Sequence, residues 1–315
     1  MDVSGTRIRS KHWNLVTPGA WSRVAAGRWG VLAGWQSKLS TDAAFTHLTA
    51  VSLLGWWMPR VPEEVPVFVQ LPRHQRVRRR GLRAIRVDSP YSSQELSGLR
   101  IAAPEDVLLA CARDLGVLDL AVVLDGALRA GVPRERIEAA AAAGRGGACA
   151  LRAALARADP RAESPWETML RIQHRVFDVP VVPQHRVEHE GVFVARADLW
   201  IAGTRTLQEY DGAVHRSRGQ HRLDLDRERR LSAAGWVRNG FTERDLIRRP
   251  AIVLRSADRA LGRETDLQRL APWFDLLHDS GLTEVGRGRL RDRWASPRLE
   301  NGRSAARNTG QKCQE

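Results

Sequence analysis

The chain has 315 residues, 43% of them hydrophobic, and fifty Lys and Arg against thirty-six Asp and Glu give it a net charge of +14. That length leaves room for two domains with separate cores, and the absence of any run of eighteen apolar residues excludes a membrane-spanning helix. The charge fits a polyanionic partner, DNA first of all, but lysine stands only at 11, 38 and 312, so an arginine-rich coding bias accounts for it equally well.

In chain order, the N-terminal segment lacks the apolar stretch of a secretion signal. Residues 19–34 alternate apolar and polar side chains around Gly27 and read as a short β-hairpin. Residues 40–57 read as a helix from about Asp42, ending near Gly55 and stopped by Pro59. Val65, Val67 and Val69 repeat with the period of a strand, and 81–88 and 99–103 are further strands. Between the first two of these lies the densest basic run, Arg76, Arg78, Arg79 and Arg80. It is either a phosphate-binding strip of salt-sensitive, sequence-independent affinity or a solvated loop. From Pro104 the pattern turns helical, with Pro104 and Pro133 in first turns and Gly116 and Gly131 at helix ends. Cys111, Cys149 and Cys313 have no CxxC spacing, which argues against a cysteine zinc site or a disulfide framework and fits a reducing cytoplasm.

The stretch ADPRAESP (158–165) marks a domain boundary. After it the pattern runs helix, strand, strand, strand, helix, strand, helix. From about residue 283 onward apolar periodicity fades, and a basic, disordered tail is expected.

The segment 194–215 gathers three carboxylates. VFVARADLWI and TRTLQEYDG read as strands, and Gly203-Thr204 between them suits a two-residue type II′ turn. In that register Asp198 lies directly opposite Glu209, with Asp211 two residues on and on the same face. Opposed like charges destabilise a sheet, and one carboxylate would keep its proton unless a cation intervenes. Magnesium, or manganese in its place, accepts one or two protein carboxylates and keeps several waters. So held, it can activate water against a phosphodiester. A solvated edge hairpin is the plainer reading, but the flanking Leu199, Trp200, Ile201, Leu207 and Tyr210 argue for a central position.

Two further features bear on the site. Ser164-Pro165-Trp166-Glu167 has the form of a capping box, in which Glu167 reaches back to the Ser164 amide. Residues 220–236 read as a helix that buries Leu223, Leu231 and Ala234. On it Arg227 and Arg230 stand one turn apart, as a phosphate clamp or as a solvated face. WVRNGFT closes the pattern as a strand and brings Arg238 near the sheet edge.

The spaced motifs ESPWETMLR (163–171), PVVPQHRV (180–187), ARADL, QEYDGAVH and DRERRLSAAGWVRNGFT (226–242) resemble the endonuclease-like domain related to Vsr-like very-short-patch-repair endonucleases, of the PD-(D/E)XK restriction-endonuclease fold. The resemblance covers about residues 160–262. It implies an α/β (α+β) core, a mixed sheet flanked by helices, and Mg²⁺-dependent cleavage of DNA. It further implies Asp198 and Glu209 as motif acids and metal ligands, Glu167 facing the metal, Gln184 on phosphate, and His215 in proton transfer or phosphate contact. Asp211 stands where the signature has lysine; it is expected to assist as a third metal ligand or as the base that orients water, and activity would lean on the metal and on other cations, or be absent. Residues 13–130 or so resemble an AbiEi-type antitoxin or regulator region, with a partial winged-helix hairpin at its start. The expected organisation is therefore a regulatory α+β domain over 1–158, a nuclease-like domain over 159–262 and an extension over 263–315. The expected partners are DNA and a cognate toxin or a homodimer partner. The alternative is a non-catalytic DNA-binding regulator built on a nuclease scaffold.

Overall fold

The computed structural model describes residues 12–88, 92–212 and 218–295, apart from the side chains of 218–224. It is a mixed α/β molecule with two sheets flanked by helices and a separate two-stranded hairpin. Among the described residues, no helix is long and apolar enough to cross a membrane.

The hairpin pairs β1 (Trp13–Thr17) with β2 (Ala20–Arg23). The expectation of strands on either side of Gly27 fails: Gly27–Gln36 is a helix, α1. Short alternation fits either period, and here the pair Leu32 and Trp35, three residues apart, is buried against Phe45, Val69 and Leu71. Gly30 allows this helix to cross β2, because a β-carbon there would strike Ser22 Oγ at 2.5 Å.

The first sheet has the order β5-β4-β3-β7-β6. Its strands are β3 (Ala44–Phe45), β4 (Val67–Pro72), β5 (Leu82–Val87), β6 (Ser93–Leu96) and β7 (Leu99–Ala102). The helix expected from Asp42 starts only at His47 and ends at Leu53, as α2. Ala44 and Phe45 are drawn into the sheet instead, where Phe45 pairs with Val69 on one side and Ile101 on the other. Tertiary pairing overrides local propensity there. Four helices follow: α3 (Pro104–Ala112), α4 (Val117–Arg129), α5 (Arg134–Ala142) and α6 (Ala148–Leu155).

The second half follows the expected order. It comprises α7 (Pro165–Val176), β8 (Val181–His189), β9 (Val192–Ile201), β10 (Thr206–Tyr210), α8 (Arg218–Ala233), β11 (Val237–Phe241) and α9 (Glu243–Arg248). The sheet order is β11-β10-β9-β8. β8, β9 and β10 are antiparallel, and the crossover through α8 makes β11 parallel to β10. Further helices are α10 (Pro250–Ala260), α11 (Ala271–His278) and α12 (Glu284–Ala295).

The boundary at 158–165 is crossed by packing. α4 is buried on both sides: Leu120, Val123 and Leu124 enter the first core, while Leu118, Ala121 and Val122 enter the second beside Met169 and Trp273. Arg171 of α7 reaches back to Asp125 of α4 at 2.6 Å, with both side chains out of solvent. Nor is 284–295 a disordered tail. α12 returns to the first sheet, where Leu290 and Trp294 join its core. The Trp294 ring sits edge-on to Phe68 at 5.6 Å, its indole N–H donates to Asp114 at 3.3 Å, and its carbonyl accepts from Arg83 at 2.9 Å. Two apolar residues one turn apart in an arginine-rich stretch give almost no periodic signal, which is why the helix escaped the sequence pattern. Residues 296–315, the rest of the expected tail, lie outside the described residues.

Candidate active site

Asp198 lies on β9 and Glu209 on β10. The antiparallel register Trp200↔Leu207, Leu199↔Gln208, continued by one step, sets Asp198 opposite Glu209. The turn that achieves this is not the one expected. The Ile201 carbonyl accepts the Thr204 N–H at 3.2 Å, so Ala202 and Gly203 are the central residues. Gly203, at φ 80°, takes the third position, where a type II turn needs a positive φ. The connection is longer than a two-residue loop, yet its register is the same.

β8 supplies the next member. Pro183↔Leu199 and His185↔Ala197 flank Gln184, which therefore lies beside Asp198. Gln184 has φ 54°, a left-handed conformation uncommon for a residue with a side chain, in the middle of a strand. Such backbone strain concentrates at functional sites. The Gln184 amide donates to Glu167 Oε2 at 2.8 Å. Glu167 also caps its own helix: its N–H donates to Ser164 Oγ at 3.2 Å, and its Oε2 accepts the Glu163 N–H at 2.7 Å. The reach-back thus lands one residue earlier than the Ser164 amide that the capping box predicted. One carboxylate both closes the end of α7 and faces the strands.

Two arginines close the other side. Arg227 of α8 grips both oxygens of Glu209, with Nη1 to Oε2 at 3.0 Å and Nη2 to Oε1, and Nη2 also donates to the Arg196 carbonyl at 2.8 Å. Arg238 of β11 donates from Nε to Glu209 Oε2 and from Nη2 to Asp211 Oδ1, each at 2.5 Å. Glu209 is only 5% exposed. β11 runs parallel to β10 and places Gly240 beside Glu209. A β-carbon at 240 would collide with the Asp211 carboxylate, so the glycine leaves that carboxylate its place.

Burial, followed by the charge of Glu167 and then that of Glu209, pushes the Asp198 carboxyl up to about 7, against the opposing Tyr210 N–H and Arg227. That N–H donates to Asp198 Oδ2 at 2.9 Å. Glu167 is also raised, chiefly by burial. For Arg238, burial favours loss of the proton, but the charges and hydrogen bonds of Glu209 and Asp211 outweigh it and raise the guanidinium above its ordinary range.

Of the residues expected in the site, Asp198, Glu209, Glu167, Gln184 and Arg227 come together. Asp211 turns toward β11 and Arg238. His215 lies outside the described residues. Arg230 is exposed, with Nε 3.4 Å from the Asp226 carbonyl, and Arg227 is engaged with Glu209, so the two do not form a clamp. Arg76, Arg78 and Arg80 are exposed between β4 and β5, on the other sheet, and Arg79 donates to the Pro18 carbonyl at 3.1 Å. Arg238 is the member that the pattern missed. Only the parallel pairing of β11 with β10 brings it to the acids, and no spacing in the sequence reveals that pairing.

The donor chemistry fits a hard divalent cation in part. Asp198 and Glu209 offer the one or two carboxylates that Mg²⁺ takes alongside waters, and a cation there would offset the burial and the neighbouring carboxylate charge that together hold Asp198 near 7. Among the described residues, no group of three or more His, Cys, Asp or Glu side chains is arranged to hold a metal ion. The fit is therefore that of a two-carboxylate site. Comparison with known families, curated proteins and solved structures finds no match for this chain.

Proposed function

We propose that the chain hydrolyses DNA phosphodiester bonds at the site formed by Asp198 and Glu209. The observation that carries this reading is the convergence of Asp198, Glu209, Glu167 and Gln184, from three strands and a helix, at one place on a mixed sheet. The Vsr-like resemblance noted from the sequence supports it. So does the strained backbone of Gln184. Asp198 and Glu209 would hold Mg²⁺ or Mn²⁺, which when bound supplies a more acidic water and stabilises charge growing on phosphate. Glu167 and Gln184 orient one another beside Asp198. Arg227 and Arg238 bring positive charge to the place where this chain has Asp211 instead of the signature lysine. Plasmid nicking with Mg²⁺ or Mn²⁺ tests the reading. The wild type nicks, and Asp198→Ala falls by at least about a hundredfold, the scale of losing a principal electrostatic contribution. Nicking that is unchanged in Asp198→Ala rejects the assignment.

One observation favours a second reading, a non-catalytic DNA-binding regulator, which the AbiEi-type resemblance also suggests. Both oxygens of Glu209 are already taken by arginines, so this acid is balanced without metal. Metal-independent binding to operator-like duplex DNA, together with no nicking, selects this reading.

A further inference from the structure

We propose that Arg227 and Arg238 form a phosphate-oxyanion site which, in the free chain, is filled by the carboxylate of Glu209. Three charge-assisted donors from two guanidiniums converge on this single, almost fully buried carboxylate. One guanidinium grips it bidentately, and the other approaches from the neighbouring strand. The planar fork of arginine matches a phosphate as well as it matches a carboxylate, so a non-bridging phosphate edge presents the same pair of acceptors. Each arginine is anchored a second time, Arg227 on the Arg196 carbonyl and Arg238 on Asp211. The pair therefore stays in place when its occupant leaves. Their side chains retain 29% and 20% of their exposure, against 7% for Glu209, so the site opens to solvent on the arginine side.

An incoming phosphodiester competes with Glu209 for the same donors. Anything that draws Glu209 toward Asp198 frees them. Glu209 is thus an internal anion that weakens phosphate binding until it is displaced. Arg227 was expected to contact phosphate, but Arg238 and the competing role of Glu209 were not. No step of this exchange needs catalysis. It shares residues with the proposed nuclease site but stands if that site proves inactive.

The test is fluorescence anisotropy with a short labelled single-stranded DNA, in excess EDTA so that no cleavage intervenes, with inorganic phosphate as a competing probe. Glu209→Gln, which keeps the shape of the side chain, binds about tenfold more tightly than the wild type, the scale of one charge-assisted contact, and phosphate competes more effectively. Glu188→Gln makes the same change in net charge on the exposed β8–β9 hairpin and changes affinity less than twofold. In the Glu209→Gln/Arg238→Gln double variant the gain is lost. Thermal melting shows that each variant is folded. The proposal is overturned by a Glu209→Gln affinity within twofold of wild type, by an equal gain in Glu188→Gln, or by a gain that survives the loss of Arg238. If plasmid nicking fails with Mg²⁺ and Mn²⁺ while these affinities behave as stated, the nuclease reading alone falls.

Discussion

Two of the regions that bury charged side chains do so on different terms. Where α4 meets α7, Arg171 and Asp125 pair with almost no exposure, and the Thr168 hydroxyl and the Asp159 N–H complete the Asp125 carboxylate. On the β9–β10–β11 face, by contrast, Asp198, Glu209 and Asp211 face two arginines that are still partly open to solvent. The first arrangement is balanced and closed, as expected of charges that hold two cores in register. The second holds an excess of carboxylate, and one member, Asp198, is driven up to about 7. A buried charge with matched partners points to architecture, and one left in surplus at an open face points to a ligand.

The largest effect that would sharpen this comparison lies in the closed pair. Removing Arg171 by Arg171→Ala strands a buried carboxylate and costs about 3–5 kcal/mol, read from the denaturant midpoint, whereas Arg227→Ala at the open face costs less than half of that. Next comes the return of α12. Trp294→Ala removes a core ring and an indole hydrogen bond and lowers stability by ~3 kcal/mol. If instead the protein lacking residues 284–315 melts like the whole chain, α12 does not close the first core.

A third outcome depends on pH. Folding raises Asp198 from 3.8 to about 7, so the folded state disfavours the ionised form. The stability associated with the neutral acid is fully present below pH 4 and is lost as pH rises toward 7. Asp198→Asn should therefore stabilise the metal-free protein by ~2 kcal/mol at pH 8 and by almost nothing at pH 4, a contrast that chemical denaturation at the two pH values measures. Equal effects at both would erase the distinction between the open and closed regions. The smallest effect expected is at His174, buried in α7, whose pKa burial lowers to about 4. Its neutral form stabilises the fold above pH 6.5, and that contribution declines as pH falls toward 4. Replacing it with glutamine should flatten the acid limb of the stability profile by ~1 kcal/mol.

Much of the candidate site is legible in the sequence. Alternation on either side of Gly203 put Asp198 across from Glu209, and that register stands although the turn is of another kind, because strand periodicity constrains register more tightly than it constrains the loop. Ser164, Pro165 and Glu167 announced the start of α7 through local capping chemistry. The helix–strand–strand–strand–helix–strand–helix order was likewise readable, since each element carries its own period. Arg238 was not legible as a site residue, because its place depends on a parallel pairing between strands separated by α8. The hairpin expected around Gly27 became α1 because Leu32 and Trp35 found a core that no short window could see.

The amino-acid sequence by itself determined the order of elements in the second half, the facing acids and the capped start of α7, all consequences of interactions within a few residues or of simple alternation. Tertiary structure alone decided that α4 serves two cores, that α12 folds back onto the first sheet, and that the acids of β10 are met by arginines from α8 and β11. Those outcomes rest on contacts between residues far apart in the chain, whose partners are selected by burial and charge compensation in three dimensions rather than by any pattern along one.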